Sequence, residues 1–220
     1  MATWAPLGAM WTARWQRLLA LAWGLLVVEL DYAAIRDPAL PYPRLVVGCA
    51  ATVVAAHLAA RGPAWADGLG FRRLTPGEHR WLVRAVLLGG AVVALAIAGL
   101  GVWLHHRGAS PWPVRRPASE LSYVIGAVVV WPVYEETVYR LALLPGAVAA
   151  LGRWGGYAVG VAAFVYLHVL YRVLDVSNVF GAVALTAVFV RTGSLRWCIA
   201  LHALGNAAVV ALNLTLVHAP

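Results

Sequence analysis

The chain has 220 residues, of which 62% are hydrophobic and only 12% charged, more apolar surface than one water-soluble core of that length can hide. A net charge of +8 would suggest nucleic acid in a soluble protein, but the arginines cluster between apolar runs, as loops facing anionic headgroups do, so nucleic acid is excluded as a partner. The two cysteines, Cys49 and Cys198, stand alone in apolar stretches without the spacing of a metal site or redox pair, and read as small packing residues.

Crossing the hydrocarbon core takes about 20 apolar residues in a helix. Runs of this kind, bounded by Arg, Trp or Pro, fall near 16–35, 43–60, 82–104, 119–138, 142–152, 156–172, 177–191 and 195–216. The expected fold is therefore all-α, a polytopic transmembrane bundle of seven or eight spans forming one integral membrane domain over 1–220. Its variable spans lie in 1–118 and its core spans in 119–216. The fifth run is short and contains Pro145, which makes it a half-span or a kinked continuation of the fourth. Trp4, Trp11 and Trp15 with Arg14 and Arg17 precede the first span without a convincing cleavage site, as in an uncleaved start-transfer helix.

Arg61, Arg72, Arg73, Arg80 and Arg84 make the connection before the third span the most basic, which puts it and the N-terminus in the cytoplasm. The weaker basic loop with Arg107, Arg115 and Arg116 then falls outside. The chain is expected to be a multi-pass protein of the cell membrane.

Ionisable residues at membrane depth set the later spans apart. In WPVYEETVYR, Glu135 and Glu136 precede Arg140 at the end of an apolar helix. A carboxylate at the bilayer centre costs about 2.5 to 3.5 kcal/mol, so an adjacent pair demands partners or a purpose. Glu136 and Arg140 have the i, i+4 spacing and order that favour an ion pair, leaving Glu135 for chemistry. Phe164 and His168 share a face of the next helix, and His202 and Asn206 share a face of the last.

Each pair alone is compatible with interhelical hydrogen bonding. Together they are the parts of an amide hydrolase: a carboxylate and an imidazole to activate water, and two donors for the oxyanion. Ser122, Ser177 and Ser194 lie outside the polar cluster, which favours activated water over a covalent nucleophile. Two His and a Glu would also suit zinc, although HExxH is absent. Glu29 and Asp31, late in the first span, are expected to reach the aqueous boundary or pair with Arg36.

EETVYR, FVYLH and HALGN resemble, in order, the EExxxR, FxxxH and HxxxN motifs of the CPBP intramembrane proteases, a group of CAAX prenyl endopeptidases and bacteriocin-associated proteins. RTGSL at 191–195 is similar too, and the resemblance runs from about 119 to 212. Tyr139 and Leu141 stand where many bacterial members have Phe and Gly. The resemblance implies a glutamate-type peptidase without metal or other cofactor, acting on a membrane-anchored or membrane-embedded protein. Glu135 and His168 would activate water, His202 and Asn206 would form the oxyanion site, and Glu136 and Arg140 would support them. A non-catalytic immunity or chaperone-like protein and a proton-coupled transporter remain alternatives. If the sixth and last spans start level, His168 lies about 17 Å deep and His202 about 9 Å, a mismatch of about 8 Å that the fold must remove.

Overall fold

A backbone in hydrocarbon must satisfy its own hydrogen bonds, so apolar runs of this kind fold as helices. The computed structural model describes residues 14–36, 73–107, 119–172, 174 and 176–217, and these are helical with no strand among them. In chain order they are α1 (Arg14–Arg36), α2 (Pro76–His105), α3 (Glu120–Ile125), a π segment (Gly126–Val130), α4 (Trp131–Glu136), a second π segment (Thr137–Leu143), α5 (Leu144–Leu170), α6 (Val176–Thr192) and α7 (Leu195–Val217).

Arg14–Arg36, Glu120–Leu170 and Leu195–Leu214 are long and apolar enough to cross a membrane, and Val176–Thr192 is a shorter apolar helix. The expected seven or eight spans are not all found among the described residues. The run near 43–60, with Cys49, lies outside them. The runs at 119–138 and 142–152 are not separate spans but one continuous rod from α3 to the middle of α5.

The rod survives two prolines because each follows a widened turn. Proline lacks the N–H that would bond the carbonyl four residues back, and its ring crowds that carbonyl. Pro132 stands just past Gly126–Val130 and Pro145 just past Thr137–Leu143, so in both places the π geometry absorbs the mismatch.

The rod ends at Gly152, whose φ of 75° and ψ of 175° break the helix. There the chain folds back on itself. A Cβ on Gly156 would meet Val148, and one on Gly160 would meet Leu144, while Phe164 stacks on Arg140. These pairs step by four residues in opposite directions, so the limbs of α5 run antiparallel, and the next step brings His168 level with Glu136.

α1 lies antiparallel along the rod in backbone contact. A Cβ on Gly24 would sit 2.7 Å from the carbonyl oxygen of Ala142, and one on Gly146 would sit 2.6 Å from that of Ala20. Without a hydrophobic drive between helices in lipid, such small residues permit the close van der Waals packing that holds spans together. Val27, Val28, Val138, Leu143, Phe164 and Leu167 form the core around this contact.

α6 and α7 close the other side. Leu195, at the start of α7, packs in one cluster with Leu141, Leu144 and Leu82 of α2. It therefore begins about two helical turns, roughly 11 Å, short of the Gly152 turn. This stagger removes the depth mismatch between His168 and His202 expected from spans that start level. Arg14, Arg17, Arg73, Arg80, Arg84, Arg153, Arg191 and Arg196 lie toward the end of the bundle with that turn, and Arg36, Arg107 and Arg172 toward the other.

Candidate active site

The two glutamates sit on α4, between the π segments, and both are buried, with Glu136 fully so. Arg140, one turn on in the second π segment, is 1% exposed and places Nη1 3.1 Å from Oε1 of Glu136. The ion pair expected from the spacing is thus formed inside the bundle. The guanidinium carbon also lies over the Phe164 ring, 4.1 Å from its centroid, a cation–π contact that desolvation strengthens.

His202 of α7 completes the cluster from the facing side. Its Nδ1 is 2.8 Å from Oε1 of Glu136, the oxygen already held by Arg140. A carboxylate paired with Arg is an acceptor only, so Nδ1 donates to it and Nε2 is the nitrogen left for a second partner. That Nε2 lies 3.9 Å from Oε2 of Glu135, so one imidazole bridges the two acids.

His168 is buried one turn beyond Phe164, and its Nδ1 is 3.0 Å from the Phe164 carbonyl. A carbonyl can only accept, so Nδ1 is the protonated nitrogen here too and the basic Nε2 faces away from its own backbone. The Phe164 ring is the divider of the site, 4.8 Å from His168, 5.9 Å from His202 and 5.4 Å from Tyr139. Asn206, one turn past His202, donates Nδ2 to the carbonyl of Ala127 at 2.8 Å. The first π segment offers that carbonyl because its own ladder is shifted.

Of the six residues singled out from sequence, Glu135, Glu136, Arg140 and His202 are brought together, His168 flanks them across Phe164, and Asn206 is held one turn along at Ala127. Among the described residues no three His, Cys, Asp or Glu side chains form a group able to hold a metal ion.

Asp31 corrects the expectation for the first span. Glu29, not Asp31, pairs with Arg36, at 2.9 Å on the exposed end of α1. Asp31 is fully buried and accepts from Tyr134 Oη at 2.6 Å and Tyr139 Oη at 2.8 Å, on opposite carboxylate oxygens. The available signal was an acid inside an apolar span together with two tyrosines bracketing the Glu pair. Cys198 behaves as expected, a buried thiol donating to the Leu185 carbonyl.

Residues 117–208 match the family model of Rce1-like type II CAAX prenyl endopeptidases, a stretch that contains all three motifs and every residue of the cluster. The match covers less than half of the chain and supports the CPBP intramembrane protease family for that stretch. No curated protein and no solved structure matches the chain. The match and the apolar helices together support a membrane protein and a protease. α1 and α2 lie outside the matched residues, so Asp31 reaches Tyr134 and Tyr139 from beyond them.

Proposed function

We propose that the protein is an intramembrane endopeptidase that hydrolyses a peptide bond near a membrane-associated segment of a protein substrate. The observation that carries this reading is His202 held between two buried carboxylates, one locked to Arg140 and the other 3.9 Å from its Nε2. A water about 2.8 Å from both Glu135 and a basic imidazole nitrogen would lose its proton to the pair as it attacks the amide carbon.

Glu135 is the base in this scheme and His168 its partner, one helix away. His202 and Asn206 stabilise the oxyanion, His202 with Nε2 protonated while Nδ1 donates to Glu136, and Asn206 through the amide N–H not given to Ala127. Glu136 and Arg140 hold His202 in its orientation. The chemistry needs no metal. The family description makes prenylated CAAX proteins the first substrates to try, and the arginine-rich end of the bundle faces the cytoplasm of the cell membrane, with the N-terminus on that side.

The test is cleavage by purified protein in detergent of an internally quenched peptide ending in a farnesylated Cys-aliphatic-aliphatic-X sequence, with and without a chelator. Glu135→Gln keeps the shape and removes the base, so turnover falls about 10²- to 10⁴-fold while helix content stays the same. The chelator has no effect. Normal turnover by Glu135→Gln sinks the mechanism, and chelator-sensitive turnover sinks its metal-free form.

A further inference from the structure

We propose that Asp31 is a positioning residue of the active site, acting from α1 through Tyr134 and Tyr139 to set the rotation of the glutamate-bearing rod; the proposal rests on the peptidase reading above. A carboxylate with no exposure inside a membrane helix is costly unless its oxygens are satisfied. Each oxygen of Asp31 takes one tyrosine hydroxyl, and the two tyrosines bracket Glu135 and Glu136 in sequence.

Their spacing of five residues explains why the clamp acts on geometry. In an α-helix, positions i and i+5 point about 140° apart, whereas in a π turn they stack, since the backbone bond itself runs from i to i+5. The second π segment begins at Thr137, between the two tyrosines, so one carboxylate can hold both. Relaxing that turn to α geometry would rotate everything after Thr137, Arg140 included, by about one residue, or 100°, relative to Glu136.

The neighbouring residue extends the bracket. Tyr32 donates Oη to the Ala163 carbonyl at 2.6 Å, one residue before Phe164 on the His168-bearing limb. Asp31 and Tyr32 thus tie both limbs of the site to one helix. That helix is itself seated by the Gly24 and Gly146 backbone contact, and Arg36 pairs with Glu29 at its exposed end.

The experiment uses the full chain in detergent, with Asp31→Asn, the ring-preserving Tyr134→Phe/Tyr139→Phe pair, and all three changes combined. On the farnesylated peptide, Asp31→Asn is expected to lower kcat about tenfold, the value of one hydrogen bond to a charged acceptor, with KM within about twofold. The tyrosine pair should match it, and the triple variant should lose no more. A kcat within twofold of wild type, or losses that multiply, overturns the proposal. A second arm needs no turnover: ¹⁵N-histidine spectra, with His202 assigned through His202→Gln. Asp31→Asn should move the His202 Nδ1 resonance and leave that of His79, which stacks on Trp197, in place. An unmoved His202 signal overturns the clamp even if the peptide is cleaved. A wild type that does not cleave while His202 moves overturns the substrate assignment and leaves the clamp standing.

Discussion

Replacing Arg140 by Met keeps most of the side-chain volume and removes the cation that holds Glu136. At the observed 3.1 Å and an effective dielectric of about 20, the pair is worth about 5 kcal/mol of Coulomb energy. The stacked Phe164 adds roughly 1 to 2 kcal/mol for a desolvated guanidinium. Against this, an unpacked helix in a micelle lets both groups find other partners, which cuts such interactions well below their gross value, leaving a net loss of about 2 to 4 kcal/mol for Arg140→Met. The assay is reversible unfolding in mixed micelles of rising SDS fraction, followed by circular dichroism. Glu136→Gln should cost a similar amount by stranding Arg140, which is 1% exposed. The double variant strands neither group and should fall short of the summed losses by about 2 kcal/mol. A loss below about 1 kcal/mol for Arg140→Met, or full additivity in the double variant, would show that the ion pair does not organise the core.

Gly24→Leu and Gly146→Leu should each destabilise by about 2 to 3 kcal/mol in the same titration, because the new Cβ meets backbone atoms that cannot yield. Gly90→Leu, on an exposed face with nothing within 4 Å, should change stability by less than about 0.5 kcal/mol, and parity among the three would refute the close-contact argument. Phe164→Leu removes the ring that separates Arg140, His168 and His202, and turnover of the quenched peptide should fall about 10- to 100-fold, with most of the loss in kcat. Asn206→Ala should lower kcat about 10²- to 10³-fold as an oxyanion donor is lost. A purely structural effect through the Ala127 carbonyl would instead appear as lower stability at unchanged kcat.

The membrane character and the polar cluster could be read without coordinates because both depend on local composition. Lipid imposes helices on apolar runs, and an i, i+4 pair such as Glu136 and Arg140 stays on one face wherever the helix goes. Of the six residues named, Glu136, Arg140 and His202 meet directly, Glu135 lies 3.9 Å from His202, and His168 joins them through the Phe164 ring, whereas Asn206 bonds the Ala127 carbonyl. The geometry of their meeting was not legible. Its short length and Pro145 marked 142–152 as a half-span or a kinked continuation, and the structure makes it a continuation, through a π segment at Thr137–Leu143 that periodicity does not reveal.

What the sequence by itself determined, then, was solvent, helix content and the chemical inventory of the site. Only the tertiary structure decided register: the reversal at Gly152, which brings His168 level with Glu136, and the late start of α7, which lets His202 reach both acids. It also decided the partners of Asp31, which by sequence would reach the aqueous boundary or pair with Arg36 and by structure accepts from two tyrosines more than a hundred positions away. The physical reason is one of range. Burial and pairing within a helix are set by neighbours along the chain, whereas the meeting of distant helices is set by where small residues let backbones touch and where a buried charge finds its hydrogen bonds.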